Sequence, residues 1–461
     1  MTADGKVQSQ MGAPPASGSR PEQAAIVTLR GERLLIVAII LFATLNALAW
    51  SLVRVPLLGG PDEDAHFGVV QQIMDTGGLA VFRGYTPGAF AGGPVRAQVA
   101  HEITPNVFAV PVALVLRLIG SPNLEFNVHV ARLFNVALYP LTLWLAYLTL
   151  QRMFPAGPAE RLWGVGVMAT VPMFTLVHTY YTNDTPAIAA GTFAVYAAVR
   201  AWQSDFKPKD VLLLGLALGL VGLHKYTGFL VFPAVAGITL GRLWRRPTRF
   251  VRVGVALLLM ATAIASWWYV RNWTLYADPI GVAVTQAAVD ASGGAPVPPR
   301  ARGLDLWQFV SETNWVAENF ATFWAGYGRV KLKLPGAVYL ALAGVVILAV
   351  LGFILDAVRS RRPGGDPVTW RPLVGMMAFL HLGLWALSFW SSYSVDVALN
   401  GRYVYPTFLP FVVLVILGLT SLAAWRGRVG AVAVASIPVM IAANLAYFVH
   451  TVIPDVVALG V

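Results

Sequence analysis

RLLIVAIILFATLNALAWSLVRVPLLGGPDEDAHF, Arg33 to Phe67, sets a long apolar run almost directly against three consecutive acids and a histidine. A helix of about 20 apolar residues crosses a hydrocarbon layer of about 30 Å, and the run from Leu34 to Val53 has that length. Comparable runs recur towards the C-terminus. The composition agrees: 57% of the 461 residues are hydrophobic and only 12% are charged, about half the charge of an average soluble domain. The chain therefore reads as an all-α polytopic membrane protein. Its spans fall at about 34–55, 129–152, 161–179, 184–203, 209–223, 226–243, 251–272, 335–358, 372–391, 403–424 and 429–450, about eleven transmembrane helices.

Charge sets the orientation. With the N-terminus in the cytoplasm, 20 of the 33 basic residues but only 8 of the 22 acidic ones lie on the cytoplasmic side, as the positive-inside rule requires. That asymmetry accounts for the net charge of +11 without a nucleic-acid partner. No cysteine is present, so thiolate metal sites, cysteine nucleophiles and disulfides are excluded. Residues 1–33, rich in Gly, Pro, Ser, Ala and Gln, read as a disordered cytoplasmic tail. Ala47-Leu48-Ala49 is a weak match to a signal-peptidase site, but the apolar run continues past it and reads as an uncleaved anchor. The membrane domain is expected over 34–451, with 452–461 as a short tail.

One apolar stretch is too long for a single crossing. Residues 211–240 would form a helix of about 45 Å, interrupted only by His224-Lys225-Tyr226-Thr227-Gly228 and flanked on both sides by basic clusters. Two short spans meeting near Lys225 satisfy length and charge together. Their tip lies at or below the outer headgroup plane.

Two large loops then face outward, at about 56–128 and 273–334. The first opens with Pro61-Asp62-Glu63-Asp64-Ala65-His66-Phe67 and contains an amphipathic run from Thr104 to Ile119. Pro61 suits a first helical turn, which would place Asp62 and Glu63 at spacings of four and three from His66. Carboxylate and imidazole at that spacing suit an acceptor-activating base or a hard divalent cation held by Asp62, Glu63 and His66. The plainer alternative is helix capping, the role read for Asp64. His101-Glu102 either completes a metal or substrate site or is a solvated pair. Asp184 either caps its span or offers a second carboxylate to the cavity of Asp62. Lys225 at membrane depth calls for an anion such as a lipid phosphate, or for snorkelling to water. Arg271, and Arg402 with Tyr403, sit at outer span ends where an Arg fork suits phosphate. Arg329, Lys331 and Lys333 add a basic patch on that side.

Together these pieces resemble the GT-C superfamily of polyprenyl-phosphate-sugar glycosyltransferases, over about residues 34–450. The resemblance is carried by Pro61-Asp62-Glu63 after the first span within PDEDAHF, then by Gly222 to Gly228, Arg271-Asn272, Phe323-Trp324 with Gly328, and Gly401-Arg402-Tyr403. In its extended form it is similar to a poorly characterised bacterial branch. It implies a GT-C-like helical domain with amphipathic juxtamembrane helices in the first loop, in a bacterial plasma (inner) membrane. It implies transfer of a sugar from a polyprenyl-phosphate donor to an envelope glycan, lipid or protein acceptor on the extracytoplasmic face. Asp62 would be the base or a metal ligand with Glu63 beside it, and Lys225 and Arg402 would hold the donor phosphate. A divalent cation, magnesium or manganese, is the one cofactor expected. With no sizeable soluble domain expected after the last span, acceptor recognition falls to the two outer loops or a partner.

Two other classes compete. A glycolipid or small-anion transporter or flippase needs ionisable groups and broken helices near mid-membrane. A non-catalytic envelope-assembly protein needs neither. Apart from Lys225, the span interiors are short of such groups, with His178 and His381 as exceptions.

Overall fold

Asn46, Asn135 and Asn444 are buried inside otherwise apolar helices, and each finds a partner on another element. Asn46 Nδ2 donates to Asn444 Oδ1 at 2.8 Å and Asn444 Nδ2 donates to the Thr170 carbonyl at 2.7 Å. An amide left unsatisfied among hydrocarbon is costly, so such contacts fix which helices are neighbours. The computed structural model describes residues 20–53, 55–82, 102–291, 297–326, 333–359, 371–422 and 429–449. All regular structure among them is helical.

Seven helices among the described residues are long and apolar enough to cross a membrane: Gly31–Val53, Leu124–Met153, Tyr226–Leu243, Pro247–Tyr276, Gly336–Leu355, Arg371–Ser394 and Gly401–Ser421. The chain is a multi-pass membrane protein. Further helices at Pro158–Thr170, Pro172–Val177, Asp184–Gln203, Pro208–Gly222 and Val429–Tyr447 pack among these seven. The expected span at 161–179 is broken at Pro172, which cannot donate to the helical ladder. The first helix begins at Arg20, so helical structure reaches into the segment read as a disordered tail; residues 1–19 lie outside the described residues.

Residues 211–240 form the expected hairpin. Pro208–Gly222 ends before Lys225, a 3-10 turn covers Tyr226–Leu230, and Val231–Leu243 returns. Tyr269 seals the tip by donating to the Gly222 carbonyl at 2.5 Å.

Ion pairs sort the helix ends into two sets. At one end, Glu32 is gripped by both arms of Arg161, Asp210 pairs with Arg200, and Asp205 gathers Arg242, Arg246 and Arg249. These are the ends that the charge count assigns to the cytoplasm. At the other end the C-terminus of the first helix, the Tyr180–Asp184 link, the Lys225 tip and the Gly401–Thr407 turn come together.

The first loop supplies two juxtamembrane helices. Glu63–Thr76 buries Phe67, Val70 and Ile73 against Val112, Ala113 and Leu116 of Ala109–Ile119. Leu114 and Leu118 point outward, 54% and 87% exposed, which suits a helix lying at a bilayer interface. In the second loop, Trp315–Trp324 covers the Gly401–Thr407 turn, while Leu306–Thr313 sets Phe309 against Phe389 and Tyr393.

Close helix crossing marks the C-terminal half. A Cβ on Gly352 would overlap the Gly418 carbonyl, and one on Gly418 would overlap that of Ala349. Small residues allow such backbone approach between membrane helices. Gly352→Val and Gly418→Val are each expected to destabilise by about 2 kcal/mol through overpacking. The measurement is the melting temperature in detergent; a Gly344→Val control, with open space around it, should melt as the parent does.

Candidate active site

The link from Pro56 to Asp62 is shaped by what it must pass. A Cβ on Gly60 would overlap the Tyr180 ring, so only glycine lets the chain through. Asp62 then takes a left-handed conformation, φ 59° and ψ 15°, at the N-cap of the Glu63–Thr76 helix. Its side chain makes no capping hydrogen bond. It accepts instead from Arg402 Nη2 at 3.0 Å. A non-glycine residue in this region is uncommon, and held strain of this kind concentrates at functional sites.

Glu63 turns the other way. It is fully buried and locked by Arg132, whose Nε and Nη2 each donate at 2.7 Å to its two oxygens. The Tyr181 and Gly60 amides donate to the same carboxylate at 2.9 and 3.1 Å. Arg132 also donates to the carbonyls of Ser51, Val55 and Pro56. This pair staples the end of the first helix, the loop that follows it and the Leu124–Met153 helix together. Glu63, expected beside the base, is a structural residue, because both of its oxygens are consumed by a buried bidentate ion pair.

Asp184 also reaches the cluster. It follows Asn183, the N-cap of its helix, and its carboxylate faces two cations. Lys225 Nζ pairs with Oδ1, and Arg402 Nε lies 3.3 Å from Oδ2. Of the two readings left open for Asp184, the second carboxylate beside Asp62 is the one the structure adopts. Lys225 lies 5.2 Å from the Tyr403 ring centroid, close enough for a cation–π contact.

Arg402 is the hub. It is 3% exposed, and besides Asp62 and Asp184 it donates from Nη1 to the Tyr180 hydroxyl at 3.0 Å. Expected as a phosphate clamp, its guanidinium is committed to protein groups. The more open part of the cluster is formed by Asp62, Lys225 and Tyr403. Asp62 and Lys225 have side chains 37% and 26% exposed, against 7% for Asp184. A carboxylate and an ammonium thus stand together at the surface, held from behind by a buried arginine and a second acid.

Other expected site residues lie elsewhere. His66 is 2% exposed, on the packed side of its helix. With Glu63 consumed by Arg132, the triad Asp62, Glu63 and His66 does not form a ligand set. Among the described residues no three acidic or imidazole side chains converge on a metal position. Arg271 donates to the Ala80 carbonyl and to Asn272, while Asn272 and Trp268 both donate to the Ile103 carbonyl. Arg271 therefore anchors the first loop instead of clamping phosphate. Glu102 sits in that loop as an acceptor from Gln72 at 3.4 Å, and burial pushes its carboxyl up to about 7. Lys333 pairs with Glu318; His101, Arg329 and Lys331 lie outside the described residues. Sequence reasoning missed Arg132 and Tyr180. The available signal for Arg132 was an arginine inside an apolar span, where an unpaired charge is untenable.

Compared with solved structures, the chain matches an oligosaccharyltransferase of Archaeoglobus fulgidus, crystallised with a tethered acceptor peptide containing the NVT sequon. The TM-score is 0.53 at 12% identity, over 89% of this chain and 55% of that one. At that identity the likeness is one of fold. The match leaves nearly half of the archaeal enzyme uncovered, so the chain spans little more than half its length. ArnT from Cupriavidus metallidurans, bound to undecaprenyl phosphate, matches at TM-score 0.42 and 14% identity, over 85% of this chain and 77% of that one. Residues 104–268 match the dolichyl-phosphate-mannose-protein mannosyltransferase family. A search of curated proteins gave no match.

Two outcomes follow from this geometry. Arg132→Met strands a buried Glu63 carboxylate and should cost about 4 kcal/mol, the range for breaking a buried pair. Asp62→Asn, at the open edge, should cost far less; denaturation in detergent compares them. The raised Glu102 carboxyl favours the folded state while both states are protonated. That contribution is present below about 4.5 and is lost as pH rises to about 7. Glu102→Gln should flatten the stability profile across that window, read as melting temperature against pH.

Proposed function

We propose that the chain transfers a sugar from a polyprenyl-phosphate donor to an acceptor hydroxyl, with Asp62 as general base and Lys225 as the cation facing the leaving phosphate. The observation that carries this reading is an accessible carboxylate, Asp62, held on a buried arginine, with an accessible ammonium, Lys225, tied to that same arginine through Asp184. It is supported by two almost wholly apolar cavities of about 510 Å³ each. One is lined by residues such as Phe229, Tyr269 and Trp273 next to the Lys225 hairpin, the other by Phe323, Trp385 and Phe411 beside the Arg402 turn. A donor with a long hydrocarbon chain needs such a surface next to its phosphate.

In the reaction, an Asp62 oxygen takes the acceptor's hydroxyl proton as that oxygen attacks the anomeric carbon of the sugar. The bond from that carbon to the phosphate oxygen breaks, and the phosphate leaves with the electron pair. Lys225 offsets the charge that grows on it. Arg402 does not touch substrate. It holds the Asp62 carboxylate in place, and Asp184 holds Lys225. No step is routed through a metal ion, because the expected ligand triad is dismantled by the Glu63–Arg132 pair.

The site is proposed to open on the extracytoplasmic face of a bacterial plasma membrane, with the basic helix ends inside, as the charge asymmetry favours. A transport reading finds less support. His178 stacks on Tyr139 with ring centroids 4.2 Å apart and bonds the Phe174 carbonyl, so it is packed and lines no path.

The test is transfer from a labelled polyprenyl-phosphate sugar by protein reconstituted in liposomes. Asp62→Asn should lower kcat by about 10²–10⁴-fold with donor binding retained. Lys225→Ala should raise the KM for donor. Full transfer by Asp62→Asn would remove the base assignment.

A further inference from the structure

The Gly401–Thr407 turn carries Arg402, and its hold on the protein is unusual in running through an apolar cavity wall. Trp385 Nε1 donates to His381 Nε2 at 3.1 Å. With Nε2 as acceptor, the neutral imidazole keeps its proton on Nδ1. That proton points to Thr407 Oγ1 at 3.1 Å, and the Thr407 hydroxyl donates onward to the Val404 carbonyl at 2.8 Å. The chain of donors has one direction, from the indole through the imidazole and hydroxyl into the turn. At its far end sits the arginine that positions Asp62.

His381 and Trp385 also line the 510 Å³ cavity, together with Phe323 and Phe411. Phe323 belongs to both systems as well, since its carbonyl accepts the Tyr405 hydroxyl from the same turn. A second fixing bond lies alongside, from the Gly401 amide to Thr322 Oγ1 at 2.8 Å. The turn has little freedom against the helix beside it: a Cβ on Gly191 would lie 2.6 Å from the Pro406 carbonyl. Displacement of the imidazole is therefore passed along the turn.

We infer that His381 is a positioning residue that couples occupancy of this cavity by the donor's hydrocarbon chain to the placement of Arg402, and so makes turnover depend on donor chain length. The inference rests on the reading of the protein as a polyprenyl-phosphate-dependent transferase. A chain lying against Trp385 holds the indole N–H on His381, which holds Thr407 and the turn. A donor too short to reach the cavity leaves Trp385 held only by its contacts to Trp315, Phe323 and His381, and Arg402 is then less firmly presented to Asp62. Chain length is read in kcat, because the phosphate contact at Lys225 is the same for both donors.

The experiment compares the parent protein with His381→Phe, which fills the site without hydrogen bonds, and His381→Asn, whose amide can still donate to Thr407. Full-length protein in nanodiscs is assayed with a long-chain donor and a two-isoprene donor carrying the same sugar. The parent is expected to turn over the long donor at least tenfold faster. His381→Phe should lower the long-donor kcat to the short-donor value with acceptor KM unchanged, and His381→Asn should recover part of the difference. A general loss of folding would depress both donors alike, leave their ratio intact and overturn the coupling. A second readout needs no transfer: polyprenyl phosphate without sugar should protect the amides of Gly401–Thr407 from hydrogen exchange in the parent but not in His381→Phe. Lipid binding with equal protection in both proteins overturns the coupling alone. Failure of the parent to bind polyprenyl phosphate overturns the proposed function with it.

Discussion

A single buried guanidinium organises the polar end of this protein. Arg402 cannot sit buried beside Tyr180 unless its charge is met, and it is met by two carboxylates from distant parts of the chain. The arrangement serves both sides. Asp62 gains a fixed direction despite standing at the edge of the site, and Asp184 is held where it can retain Lys225. Removing the arginine would leave two neighbouring carboxylates facing each other, so the spacing of the whole cluster follows from this one residue.

Behind that cluster lies a second layer of restraint. The Glu63–Arg132 pair does no chemistry, yet it fixes the strained turn that presents Asp62. Arg132 draws in three backbone carbonyls that would otherwise be unsatisfied at the end of the first helix. Asn135 adds to it, donating to the Tyr180 and Thr182 carbonyls and so placing the tyrosine that touches Arg402. Adjacent acids in the sequence, Asp62 and Glu63, thus have opposite fates: one is held half-exposed on Arg402 and the other is buried in the brace with Arg132.

Much of this was legible beforehand. Long apolar runs and the basic asymmetry gave the helical membrane fold and the sorting of its ends, because hydropathy and charge act locally and additively. The Lys225 hairpin followed from length and flanking charge together. What was hidden were partnerships between residues far apart. Nothing near Glu63 in sequence announces Arg132, so the acid read as half of a catalytic pair. Arg402 and Arg271 read alike as phosphate clamps at outer span ends. One became the hub of the site and the other an anchor for the Ala80 carbonyl. Side-chain type set what each could bind, but only the packing of helices decided which partner it met.

The long reach of these contacts has a consequence for biosynthesis. Glu63 waits for a partner 69 residues downstream, and Asp62 waits for one 340 residues downstream. As helices enter the membrane in order, the loop is braced early, while the arginine that orients Asp62 arrives 340 residues after it. A chain released before that point would carry a braced but unaimed carboxylate. The aimed carboxylate is thereby reserved for molecules whose synthesis has passed Arg402.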